Sequence, residues 1–142
     1  MHVVLGDLGH AAPDGGRHAS SYVCTRYYRA PELLLGYLGY GPAIDLWALG
    51  CVVAEMIRLK PLFWGDKNTS VLAKILSVLG NLSSDLVERY TGTREKLVDV
   101  QELGIESKVE TKDLRMLQLI KLLLQLDDSK RLSAVSCLQF FR

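Results

Sequence analysis

A few residues in this chain have side chains whose type and spacing could do chemistry. Asp7 opens Asp7-Leu8-Gly9 after the run Val3-Val4-Leu5. Its carboxylate is the oxygen ligand that a hard cation prefers, although taken alone the tripeptide reads as a plain turn. Tyr22 is followed in the same loop by Arg26 and Arg29. A phosphate on Tyr22 would add roughly −1.5 to −2 charge and three acceptor oxygens. Two guanidinium groups close behind it could hold that phosphate through paired, charge-assisted hydrogen bonds. The alternative is an exposed tyrosine beside surface arginines. Asp45 falls in the first turn of a helical segment, where the helix dipole favours a carboxylate by about 0.3–1 kcal/mol. His2, His10 and His18 have no acids or cysteines at ligand spacing, so none reads as a metal ligand. Cys24, Cys51 and Cys137 are odd in number, far apart and free of any C-x-x-C pair, which disfavours both zinc and a disulfide framework.

These side chains need elements to position them. Val3-Val4-Leu5 predicts one short strand. Residues 9–21, rich in Gly, Ala, Ser, Asp and Pro, predict a loop. Pro31 with Glu32-Leu33-Leu34-Leu35 predicts a short helix closed by Gly36. The segment from Pro42 to Arg58 predicts a longer helix with Asp45 in its first turn and Arg58 in its last. Ile44, Leu46, Trp47, Leu49, Cys51, Val52, Val53, Met56 and Ile57 leave it almost no polar face, which suits the centre of a helical core. Val71, Leu72, Ile75, Leu76 and Leu79 mark a helix over about 69–79, with Gly80 as its stop. Residues 81–111 are more polar and read as an irregular insert with a short helix near 84–90. Residues 112–126 carry an apolar stripe of Leu114, Leu117, Ile120, Leu123 and Leu124, and Ser133 caps a last helix through Phe140. The fold class is mainly α.

Composition narrows the function. A hydrophobic fraction of 49% against 23% charged is a globular balance, not a disordered one. The net charge of +1 gives no field to attract nucleic acid or an anionic membrane, and no nucleic-acid module signature is present. The first residues lack the basic-then-apolar order of a secretory signal. The most apolar stretch, Met116 to Leu126, is interrupted by Gln118, Lys121 and Gln125 and is too short to span a bilayer. The expectation is a reduced, cytoplasmic or nuclear protein with neither membrane nor nucleic acid as partner.

Ser21 to Gly36 reads SYVCTRYYRAPELLLG and Ile44 to Glu55 reads IDLWALGCVVAE. With Asp7-Leu8-Gly9 before them and Asp127 to Leu132 after them, these stretches occur in the order found in eukaryotic protein kinases. The sequence resembles the CMGC group, and within it most closely the glycogen synthase kinase/shaggy branch, with the mitogen-activated kinase branch second. The resemblance implies a Ser/Thr kinase that transfers the γ-phosphate of ATP to proteins, with ATP and Mg²⁺ as cofactors and protein substrates and scaffold proteins as partners. It implies that Asp7 is a metal ligand. Tyr22 would be a phosphosite, with Ser20 a second candidate where mitogen-activated relatives carry a phosphorylated threonine; Arg26 and Arg29 would bind the phosphate. Thr25 would position substrate. Glu32 of Ala30-Pro31-Glu32 would pair with Arg131 in a largely buried ion pair, where removal of one partner costs about 3–5 kcal/mol. Asp45 would anchor the catalytic-loop backbone, and Trp47 and Gly50 would pack. Pro61-Leu62-Phe63-Trp64-Gly65 resembles the family's P-(L/I)-F-P-G with tryptophan in place of proline.

The resemblance makes residues 1–142 one partial kinase domain: the large, C-terminal lobe with a residual strand, truncated on its N-terminal side. Its parts would be an activation segment over 7–32, a central helix over about 42–58, a CMGC-type insert over about 81–111 and C-terminal helices over about 112–140. The glycine-rich loop, the phosphate-binding lysine and the H-R-D loop with its catalytic aspartate do not occur in the sequence. The expectation is therefore that this chain alone is inactive. A non-catalytic, pseudokinase-like scaffold module and a degenerate fragment are the alternatives. Shaggy-type kinases also place a basic residue three positions after the D-F-G glycine to read primed substrates; here that position is Ala12.

Overall fold

The structure is a computed structural model that describes residues 3–13, 20–95, 97 and 99–140. Six α-helices carry it: α1 Pro31–Leu34, α2 Ala43–Arg58, α3 Asn68–Leu79, α4 Ser84–Thr91, α5 Leu114–Leu123 and α6 Ala134–Phe140. Short 3₁₀ turns over Leu8–His10, Arg26–Tyr28, Ile105–Ser107 and Asp128–Lys130 connect them. The mainly helical class is as the sequence predicts. The short strand is not: no strand forms among the described residues, and Val3, Val4 and Leu5 lie 83%, 86% and 94% exposed. A strand is defined by its ladder, and among the described residues no partner strand supplies one.

The core gathers around the inner face of α2. Trp47, Cys51 and Ala54 are buried there, and Trp47 stacks on Phe63 with ring centroids 5.9 Å apart. Val71, Ile75 and Val78 of α3, Ile120 and Leu124 from the α5 end, and Ile105 and Val109 from the insert close the same cluster. Side chains of this kind stabilise by about 1.5–3 kcal/mol each when fully buried. Gly50 lets α2 and α5 approach: a Cβ built on it would lie 2.8 Å from Leu124 Cδ2 and 2.9 Å from Leu123 Cβ.

Local chemistry sets the helix ends. Proline at the first position of α1 gives up an amide that would have no helical partner anyway. The α2 helix ends at Leu59 in the left-handed region, with its amide on the Glu55 carbonyl at 2.7 Å. Ser83 Oγ caps α4 through the Leu86 amide, and Gly92, at φ 75°, ends that helix. Asp113 caps α5 by accepting from the Arg115 and Met116 amides at 3.0 and 3.1 Å. That cap moves the helix start to Leu114. The far end stops at Leu123 rather than 126, because the carbonyls that the next helical amides would need are taken: Gln125 Nε2 donates to Lys121 at 2.7 Å and the Leu132 amide to Leu122 at 3.1 Å.

The central helix departs from its expected setting in one respect. Leu49, Val52 and Met56 are 42%, 43% and 71% exposed, so one side of α2 faces outward although it is apolar. The insert is better ordered than its polarity suggests. Asn81 exchanges two hydrogen bonds with the Val100 backbone, and the Leu103 amide donates to Ser77. No described helix is long and apolar enough to cross a membrane.

Candidate functional site

The loop between Ser20 and Ala30 packs its one buried cation, Arg29, beneath an exposed tyrosine. Arg29 is buried, and its Nε donates to the Val23 and Cys24 carbonyls at 2.9 and 3.1 Å. Its Nη1 reaches Asn68 Oδ1 at the start of α3. Its guanidinium lies 3.9 Å from the centroid of the Tyr22 ring. Arg26 reaches the hydroxyl of the same tyrosine: Nη2 donates to Tyr22 Oη at 3.1 Å while Nη1 donates to the Asp66 carbonyl. Arg26 Nε is buried without a partner. The Arg29 guanidinium beside it, reinforced by that of Arg26, holds the Tyr22 phenol below its ordinary pKa. The loop therefore presents an exposed hydroxyl between two cations, one with a spare donor, a geometry suited to an anionic group at Tyr22.

The neighbouring candidates are placed as follows. Ser20 Oγ accepts from the Tyr22 amide at 2.9 Å, and its carbonyl accepts from Tyr40 Oη at 2.8 Å. Thr25 is exposed and begins the 3₁₀ turn over Arg26–Tyr28. Asp45 is exposed in the first turn of α2 and lines a cavity of about 210 Å³ with His10, Pro13, Val23 and Tyr40. His2 and His18 lie outside the described residues, as do residues 14–19 of the expected loop.

Glu32 and Arg131 meet across 99 positions as a fork, with 2.6 and 2.7 Å hydrogen bonds, and their side chains are almost fully buried. Arg131 also donates to the Ala43 carbonyl and stands 5.1 Å over the Trp47 ring. One guanidinium thus joins α1, the start of α2, the core tryptophan and the end of α5. Burial of this kind is tolerated because every oxygen of the carboxylate is paired.

Several contacts at this site carry no signal in the sequence. Tyr28 Oη donates to Glu55 Oε2 at 2.8 Å, tying the loop to α2. In α4, Arg89 pairs with Asp127 and Asp128, and Tyr90 Oη donates to Asp128 at 2.7 Å, which fastens the insert to the loop that carries Arg131. These partners stand 27 to 39 positions apart, beyond any periodicity.

Asp7 sits in the left-handed region at φ 57°, exposed, at the head of the 3₁₀ turn over Leu8–His10. Mg²⁺ between nucleotide phosphates needs one or two carboxylates and near-octahedral oxygens. Asp7 offers one, and no group of three His, Cys, Asp or Glu suited to a metal occurs among the described residues. The described residues by themselves do not fit a metal–nucleotide group.

A model of the protein kinase domain matches residues 1–140. The chain is 36% identical over 135 residues to a probable serine/threonine-protein kinase, glkA, of Dictyostelium discoideum, covering 92% of this chain and 28% of that protein. It is 37% identical over 125 residues to the mitogen-activated protein kinase mpkC of Aspergillus oryzae, covering 84% of this chain and 36% of that one. Against cyclin-dependent kinase-like 2 of Rattus norvegicus it is 38% identical over 140 residues, covering 91% and 27%. The chain belongs to the protein kinase family, among Ser/Thr kinases of the CMGC group, a family that uses ATP and Mg²⁺. It spans about a third of the length of the curated relatives it matches.

Proposed function

We propose that these residues form the activation segment and substrate-side helices of a CMGC Ser/Thr kinase of glycogen synthase kinase-like type, switched by phosphorylation of Tyr22. The observation that carries this reading is the placement of Arg26 on the hydroxyl and Arg29 over the ring of an exposed Tyr22, with Arg26 Nε left over. A phosphate there would replace one guanidinium bond to a neutral oxygen with up to three to an anion. Because Arg29 also holds the Val23 and Cys24 carbonyls and Asn68, the added charge would stiffen the loop against α3. Ser20 is the second acceptor, Thr25 a substrate-positioning hydroxyl, and Asp7 one ligand of the metal on ATP. Asp45 would hold the catalytic-loop backbone. Protein substrates and scaffold proteins are the partners, the latter at the insert, and the cytoplasm or nucleus is the compartment.

In this reading phosphoryl transfer to protein Ser/Thr requires groups that these 142 residues do not contain. The polypeptide on its own should transfer no radiolabelled phosphate to a generic protein substrate, and turnover by it would overturn that part. Mass spectrometry of protein from eukaryotic cells should find Tyr22 phosphorylated. Phosphatase treatment should lower the melting temperature of the modified form, and Arg29→Gln should shrink that difference. Active material with unmodified Tyr22 would sink the switch. A non-catalytic scaffold role is favoured by the fastening of α4 to Asp127 and Asp128, which keeps the insert rigid. Capture of scaffold proteins by the insert without phosphotransfer would support it.

A further inference from the structure

Trp64 lies in the loop between α2 and α3 with 55% of its surface exposed, whereas Trp47 is fully buried. Its indole stacks on Tyr27, with centroids 6.3 Å apart and planes 30° from parallel. Lys74 Nζ stands 5.1 Å from the indole centroid and donates to the Trp64 carbonyl. Arg26, next to Tyr27 in sequence, reaches the Asp66 carbonyl two residues beyond Trp64. We propose that this pair of rings with its cationic rim is a docking surface for an acidic protein segment carrying an aromatic side chain.

Three observations support that occupant. A tryptophan can bury 150–250 Å² (a rough range for aromatics), so one left half open and braced by a second ring forgoes much of its folding benefit. The brace and the lysine bond fix the indole's position, so a partner would lose little additional freedom on docking. The rim then sets the sign of the partner's charge. Arg26, Lys67 and Lys74 have no carboxylate within ion-pair distance among the described residues, and Asp66, the nearby acid, accepts from Ser70 Oγ. Tryptophan, tyrosine and arginine are also the side chains that most often dominate protein interfaces. Stacked aromatics with cations serve single-stranded nucleic acid too. Here the chain's net charge of +1 supplies no extended basic track.

The surface shares Arg26 with the Tyr22 cluster, and its occupancy does not require catalysis. The chain has two tryptophans, one of them buried, so Trp64 emission reports directly on the platform. The probe is an acetylated, amidated peptide of four acidic residues flanking one phenylalanine. It should shift and quench that emission saturably, and calorimetry should give the same affinity. An alanine-centred version should bind at least about tenfold more weakly, the loss expected of a central anchor. Trp64→Ala should cost a similar factor and Trp64→Phe much less. Lys74→Glu, an exposed change, should weaken the acidic peptide and strengthen its lysine-flanked counterpart. Equal affinity for acidic and basic peptides would overturn the proposal, as would unchanged binding by Trp64→Ala of native helix content. Tighter binding of oligothymidine than of the acidic peptide at Trp64 would overturn it as well.

Discussion

Two tyrosines in this chain sit in opposite electrostatic settings, and the contrast can be measured. Tyr22 is held below its ordinary pKa of 10.0 by the neighbouring guanidinium groups of Arg29 and Arg26. Tyr90 is pushed up to about 12, first by burial and then by the nearby charge of Glu32. Phenolate absorbance followed against pH should therefore rise over a wide span. Tyr22→Phe should remove the earliest part of the rise and Tyr90→Phe the latest. The sign for stability follows from linkage. Tyr90 has a folded pKa above its unfolded value, so its contribution is fully present below pH 10.0 and is lost as pH rises toward about 12. Chemical denaturation across that window should show stability falling, with the fall reduced in Tyr90→Phe. A flat profile in the parent chain would contradict the buried, hydrogen-bonded phenol.

At the scale of elements, the α2–α5 contact rests on a missing side chain. Gly→Ala in an exposed helix interior stabilises by about 1 kcal/mol. At Gly50 the new methyl would lie 2.9 Å from Leu123 Cβ, an atom fixed by its own backbone, so the sign should reverse. Overpacking of this kind costs about 1–3 kcal/mol. Gly50→Ala should lower the urea midpoint, and a raised midpoint would show that the two helices slide apart freely. The same contact shows what the sequence carries. Apolar spacing placed α2, α3 and α5 within a few residues, because each buries one stripe and the stripe is local information. The end of α5 was not legible, since the Leu132 amide claims the Leu122 carbonyl from outside the helix. The Tyr22 cluster could be read because its arginines lie four and seven residues on. Glu32 with Arg131 could be paired only through family resemblance, and Arg89 with Asp128 not at all. The strand over Val3-Val4-Leu5 failed for a related reason: strand propensity is local, but a ladder needs a second chain segment.

At the scale of the whole molecule, burial is one-sided. Trp47, Cys51 and Ala54 face a dense core, while Leu49, Val52, Met56 and Leu59 run along the opposite side of α2 and just past it, spaced three, four and three residues apart. Leu59 is 88% exposed. Tyr28, Glu55, Val52, Met56 and Leu59 outline an open hollow of about 380 Å³, so these three apolar side chains are contiguous. An apolar patch of this kind lowers solubility while adding little to folding, because its atoms stay in water in the folded state. The two effects can be separated by substitution. Val52→Lys and Met56→Lys each place a charge where solvent already reaches, and surface changes away from special features typically alter stability by no more than about 0.5 kcal/mol. Both should reduce the fluorescence of a bound hydrophobic dye and any concentration-dependent association, with the melting temperature little changed. Cys51→Ser, one residue round the helix on the buried side, would do the reverse by leaving a hydroxyl in the core without an assigned partner. It should lower the melting temperature and leave dye binding to the folded chain unaltered. If Met56→Lys instead destabilised as strongly as Cys51→Ser, the face would have to be covered in solution, and α2 would be the fully enclosed helix that its composition predicts.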